Sequence, residues 1–158
     1  MTLLAIDPGR SFRGEATIGW CVFRDDGSEY LRGAMSWEQL VQYLRLGMDQ
    51  ELWFVPNMYG GYLIDEVVCE DFVNDPKSAR GGQRNGTSEC IGGVELACCW
   101  AAIPFTRQSN TLLPVAKLHA GYEQKLKHLP HQDSAYLHGY YYLTAKGVLK
   151  PKGLAATL

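Results

Sequence analysis

Leu3-Leu4-Ala5-Ile6-Asp7-Pro8-Gly9 is an apolar run closed by an acid, a proline and a glycine. Such a run describes a buried strand that delivers one carboxylate, Asp7, to a sharp turn at a sheet edge. After a short polar insert, Thr17-Ile18-Gly19-Trp20-Cys21-Val22-Phe23 carries the β-branched and aromatic residues of a second strand, 17–24. Asp25-Asp26-Gly27-Ser28 is a hairpin signal into a third strand from Glu29 to Met35. The chain therefore opens as an antiparallel meander.

Further along, Ser36 followed by Gln39 has the spacing of a capping box, and Trp37, Leu40, Val41 and Leu44 recur at helical spacing. These predict a helix to about Met48. Trp53 to Tyr62, with one proline and two glycines, reads as a loop. Glu66-Val67-Val68-Cys69-Glu70-Asp71-Phe72-Val73 reads as a fourth strand. Its alternation puts Glu70 on the face of Val68 and Phe72, with Asp71 on the other.

Residues 74–87 are polar and glycine-rich, and predict a mobile loop. Ser88 to Ala102 predicts a helix with Ile91, Val94, Glu95 and Cys98 inward, and 103–106 a short strand. Pro114 to His119 reads as one helical turn, 132–145 as the last helix and 147–158 as a loose tail. The domain expectation is one unit over 1–145 with a C-terminal tail at 146–158.

The 158 residues suit one domain, and 46% hydrophobic with 20% charged residues is ordinary for a globular core. No segment has the length and apolarity of a membrane span, and Asp7 lies where a signal peptide would be apolar, so a cytoplasmic protein is expected. The five cysteines lack any C-x-x-C pair and read as small buried hydrophobes rather than zinc ligands. A net charge of −2 argues against a nonspecific nucleic-acid binder, yet the charges are segregated. Leu46 to Asp75 holds seven acids and no Lys or Arg, whereas Pro76 to Gly86 holds Lys77, Arg80 and Arg84 with no acid. Arg107 to Lys127 and Lys146 to Lys152 are also basic, so a cationic face is available despite the near-neutral total.

Asp7 at a strand end, Glu70 near a strand end and Asp133 at a helix start can converge on one edge of an α/β sheet. Hard divalent ions need converging oxygen ligands of this kind, so the set reads as a two-metal phosphoryl-transfer site. Taken singly, Asp7 is also a turn former, Glu70 an exposed strand-end acid and Asp133 a complement to the helix dipole.

Leu4-Ala5-Ile6-Asp7-Pro8-Gly9, Gly19-Trp20, Val67-Val68-Cys69-Glu70 and Cys90-Ile91-Gly92-Gly93-Val94-Glu95 together resemble the RuvC family of Holliday junction resolvases. Pro114-Val115-Ala116-Lys117 and His131-Gln132-Asp133-Ser134-Ala135-Tyr136-Leu137-His138 are similar to forms carried by bacteriophages, which would place the protein in a bacterial host's cytoplasm. The resemblance implies an RNase H-like α/β fold, with a mixed five-stranded sheet of antiparallel meander and then parallel strands, flanked by helices. It also implies a homodimer and paired nicking of four-way DNA with Mg²⁺ or Mn²⁺, two ions per site.

By position, Asp7 and Glu70 resemble the first two metal ligands, and Lys117 the basic residue near the scissile phosphate. The last motif departs from the family's acid or His, two residues, then Asp-Ala. In one register Asp133 is the third ligand with His131 beside it as ligand or base. In the other, His131 and His138 share a helical face and Ser134 replaces the acid. The first is preferred because Mg²⁺ is held poorly without a third carboxylate. Lys77, Arg80, Arg84, Arg107 and Lys117 are the expected DNA contacts. A broader branched-DNA or flap nuclease, and a junction-binding protein with a decayed site, remain open alternatives.

Overall fold

β1 (Leu3–Asp7) is buried along its whole length, because it is the middle strand of a five-stranded sheet covered on both faces. The computed structural model describes residues 1–9, 17–57, 60–71, 86–124 and 128–153. β1 pairs antiparallel with β2 (Ile18–Phe23), which pairs antiparallel with β3 (Glu29–Met35). α1 (Trp37–Tyr43) follows, its start fixed by the predicted capping box between Ser36 and Gln39.

Three short strands come next: β4 (Leu44–Leu46), β5 (Leu52–Asn57) and β6 (Gly60–Ile64), forming a separate antiparallel sheet. β7 (Glu66–Asp71) then returns beside β1 in parallel. α2 (Gly86–Trp100) connects it to β8 (Phe105–Ser109), also parallel. A 3₁₀ turn at Asn110–Leu112, α3 (Leu113–Ala120) and α4 (His131–Ala145) complete the described elements. The main sheet has the order β3-β2-β1-β7-β8, the mixed five-stranded arrangement expected.

Alternation along β1 divides the core. Leu4 and Ile6 join Ile18, Trp20 and Val67 beneath α1, α2 and the small sheet, whereas Leu3 and Ala5 join Cys21, Phe23 and Val68 beneath α4. Asp7 and Glu70 fall on the α4 side by the same period. Among the described residues no helix is long and apolar enough to cross a membrane.

Several expectations need correction. The first helix stops at Tyr43, not near Met48, and 53–62 is mostly strand, not loop. Leu40 is the one buried residue of α1, so little holds a longer helix together, whereas Leu44–Leu46 pairs with β5. β5 and β6 bury Leu52, Phe54 and Ile64 against the core. Pro56 is tolerated because it sits where the β5–β6 register shifts, between Phe54 and Asn57. Pro114 to His119, read as one turn, belongs to a helix of eight residues. In α2, Glu95 is half-buried and pairs with Arg107 rather than joining the apolar stripe.

The segment after α4, read as a loose tail, is tied down as far as Gly153. Val148 N–H donates to Leu143 O at 2.9 Å, Lys152 N–H to His119 O at 2.7 Å, and Leu149 packs beside the core. The far end of α4 is held by buried Glu66, which accepts the Tyr142 hydroxyl and meets Lys146 Nζ at 2.6 Å.

Candidate active site

The Asp7-Pro8-Gly9 turn is built by its own carboxylate: Gly9 N–H donates to Asp7 Oδ1 at 2.9 Å. Gly9 has φ +55°, and a Cβ there would lie 2.1 Å from the Thr17 carbonyl oxygen, so the turn accepts only glycine. The Thr87 hydroxyl at the start of α2 donates to Gly9 O and ties the turn down.

The sheet register then brings a row of side chains to one edge. Asp7 pairs with Gly19, Ile6 with Cys69 in parallel, and Glu70 with Gln108. One step past the Ile6–Cys69 pair, Asp7 of β1 lies beside Glu70 of β7, both at strand C-terminal ends. Open α/β sheets place ligands at such ends.

α4 lays a polar stripe over that row. His131, Ser134, His138 and Tyr142 recur at helical spacing and face the sheet. His131 Nδ1 lies 3.1 Å from Asp7 Oδ2, the Ser134 hydroxyl donates to Glu70 Oε2 at 3.1 Å, and His138 Nε2 lies 3.4 Å from the same oxygen. His138 Nδ1 meets Gln108 Oε1 at 2.9 Å. Asp7 is only 6% exposed, and its carboxylate holds the His131 imidazole pKa above its ordinary value, against the opposing effect of burial. Asp7, Glu70, Asp71, Thr87, Asn110, His131 and Ser134 help line an open cleft of about 290 Å³.

Asp133 is not in this cleft. Its carboxylate forms an ion pair with Arg32 at 3.1 Å and accepts from the Tyr122 hydroxyl at 3.0 Å. The reason is helical geometry: at about 100° per residue, position 133 lies roughly 150° around α4 from the stripe that faces the sheet. The side chains brought together are thus those of the second register, His131, Ser134 and His138.

Arg107, expected to meet DNA, pairs with Glu95 and lies 3.8 Å from Asp71. Lys117 is half-buried on α3, one turn beyond cleft-lining Leu113. Lys77, Arg80 and Arg84 lie outside the described residues.

Gln108, Asn110 and Thr87 were not legible as site residues. Nothing in their local sequence signals a role, and only the register of β8 and the fold of α2 bring them in. Four cysteines are buried. Burial pushes the Cys69 thiol well up and the Cys90 thiol up to about 12, so both stay neutral and serve as packing groups under the site.

Among the described residues no three His, Cys, Asp or Glu side chains form a ready-made metal cluster. The donor set nonetheless suits a hard cation in part. Three carboxylates, Asp7, Glu70 and Asp71, and one imidazole border the same cleft, with neutral oxygens from Ser134 and Asn110 beside them.

No family model matches the chain, and no curated protein matches it in sequence. Among solved structures, Thermus thermophilus RuvC in complex with a Holliday junction substrate aligns with a TM-score of 0.57 at 15% identity, covering 96% of this chain and 99% of that one. The fold is shared with RuvC. A second T. thermophilus RuvC structure gives 0.53 at 15% identity over the same shares. The RuvC-like, RNase H-like architecture expected from the sequence is therefore present, and Asp7 and Glu70 occupy adjacent strand ends within it.

Proposed function

We propose that this protein is a metal-dependent endonuclease that nicks branched DNA, the four-way junction foremost. The observation that carries the reading is the convergence of Asp7 and Glu70, from neighbouring parallel strands, with His131 on one open cleft. The fold, shared with a RuvC seen in complex with a Holliday junction substrate, supports it.

Asp7, Glu70 and His131 are the residues that would hold Mg²⁺ or Mn²⁺. A bound pair of such ions supplies charge to activate water and to stabilise the leaving oxygen. The chain's own part is to hold the donors in place. The Gly9 N–H fixes one oxygen of Asp7, and α4 brings His131 to the other. His131, 42% exposed at its side chain, stands at the mouth of the cleft, where it can ligate an ion or orient water. Lys77, Arg80 and Arg84 are linked to Glu70 by a short stretch of chain and are proposed to contact phosphates, with Lys117 on the flank.

Paired nicks in a twofold substrate require two sites related by a twofold, so the working form is proposed to be a homodimer. Exposed Val41, Leu46, Leu96 and Trp100, the last 60% exposed, provide an apolar face for a second copy. Light scattering is expected to give twice 17.6 kDa, and a monomer at assay concentrations would argue against paired cutting.

The decisive assay offers labelled four-way junction, flap and linear duplex with Mg²⁺, Mn²⁺ or chelator. Symmetric metal-dependent cuts in the junction alone support a resolvase. Cutting of all branched forms replaces it with a broader nuclease, and binding without cutting overturns the enzymatic reading.

Asp133→Asn separates the two registers of the last motif. Because Asp133 braces Arg32 and Tyr122 rather than the cleft, and an amide of the same shape can keep accepting from Tyr122, this variant is expected to cleave within about threefold of wild type. A collapse of cleavage with unchanged melting temperature would restore Asp133 to the ligand set.

A further inference from the structure

His138 is wholly buried, and its Nε2 makes no hydrogen bond among the described residues, although Glu70 Oε2 lies 3.4 Å away. The Ser134 hydroxyl already donates to that same oxygen, at 3.1 Å. Two groups one helical turn apart on α4 thus converge on one oxygen of one carboxylate. No described residue makes a hydrogen bond to the other oxygen, Oε1, and Glu70 lines the cleft.

A carboxylate only accepts, so the imidazole proton belongs on Nε2. The side-chain amide of Gln108, 2.9 Å from Nδ1, can satisfy that nitrogen by presenting either of its ends. Gln108 sits directly beside Glu70 in the β7–β8 register, so a strand and a helix fix the ring between them. Burying an imidazole and a hydroxyl beneath an acid is costly unless they are used, and Glu70 is the partner within reach.

We propose that Ser134 and His138, steadied by Gln108, clamp Glu70 Oε2 so that the carboxylate offers Oε1 alone to a divalent cation in the cleft. These are positioning residues: they act through Glu70. The inference rests on the metal-dependent reading above and adds to it the means by which the site fixes one of its carboxylates. Ser134 thereby compensates for the absence of an acid at its position by orienting the acid opposite.

The test measures Mn²⁺ binding to the DNA-free protein by calorimetry and by the loss of the free-ion electron spin resonance signal. Groups that orient a metal ligand typically change affinity by about 10- to 100-fold when removed. Ser134→Ala and His138→Leu are therefore expected to weaken Mn²⁺ binding at least about tenfold. Ser134→Thr and His138→Gln, which keep a donor at the same reach, are expected to stay within about threefold, well inside that range.

Circular dichroism melts accompany each variant. Should His138→Leu fail to fold, Ser134→Ala decides the matter, since it removes one oxygen from a helix face and leaves packing intact. Wild-type affinity in Ser134→Ala overturns the clamp, as does an equal loss in Ser134→Thr. Asp7→Asn serves as the control. If wild type itself binds no Mn²⁺ saturably, the metal-dependent reading falls and takes the clamp with it. Binding that Asp7→Asn abolishes and Ser134→Ala leaves untouched removes the clamp alone.

Discussion

Asp7→Asn is expected to lower junction cleavage by about a hundred- to a thousandfold, the scale set by losing one group that stabilises developing charge. The substitution keeps the shape of the side chain, and its amide oxygen can still accept from Gly9 N–H, which now meets Asp7 Oδ1 at 2.9 Å. The turn therefore survives, while the negative charge that would hold a cation is removed. Junction affinity measured in chelator is expected to stay within a few-fold, because phosphate contacts by cationic side chains dominate such binding.

A second readout is independent of activity. Asp7 holds the His131 pKa above its ordinary value, chiefly through their hydrogen bond. In Asp7→Asn the His131 titration, followed by proton NMR on metal-free protein, is expected to move down. In wild type the raised value means the pair stabilises the fold fully below the ordinary histidine pKa and loses that contribution as pH rises through the folded one. An Asp7→Asn protein that cleaves normally in Mg²⁺ would remove the proposed site altogether.

The second large effect is on folding. Gly19→Ala is expected to destabilise the protein by about 3 kcal/mol, the upper part of the usual overpacking range, and to lower Tm by roughly 10 °C. A Cβ at Gly19 would lie 2.0 Å from the backbone carbonyl of His131 and 2.4 Å from Gln132 N. Both are main-chain atoms at the start of α4, so no rotamer change relieves the clash. Gly19 is also the β2 partner of Asp7. Pushing α4 away there pulls His131 from Asp7, so cleavage is expected to fall even below the melting transition. Thermal melts and calorimetry check the first part, and cleavage at low temperature the second. Wild-type stability in this variant would show that α4 does not sit on β2 as described.

Much of this was legible because local chemistry and tertiary demand agree. The apolar run of β1, the Asp-Gly hairpin into β3 and the capping box of Ser36 and Gln39 all specify the same elements from sequence and in space. The small sheet was not legible. Leu40, Val41 and Leu44 have helical spacing, but Leu44 is claimed by pairing with Phe54, a contact between residues ten apart. Asp133 lies off the cleft for a related reason. Mg²⁺ favours a third carboxylate, but a residue's direction on a helix depends on where the helix starts, and α4 starts at His131 behind Pro130.

The sequence by itself determined that Asp7 closes a buried strand and Glu70 ends another, since alternation and turn chemistry act over a few residues. Only the tertiary structure decided what meets them. The parallel register set Glu70 between Asp7 and Gln108, and the close seat of α4 on Gly19 turned His131, Ser134 and His138 inward and Asp133 out. Those choices depend on which backbones can approach, a property of packed elements that no local stretch of chain encodes.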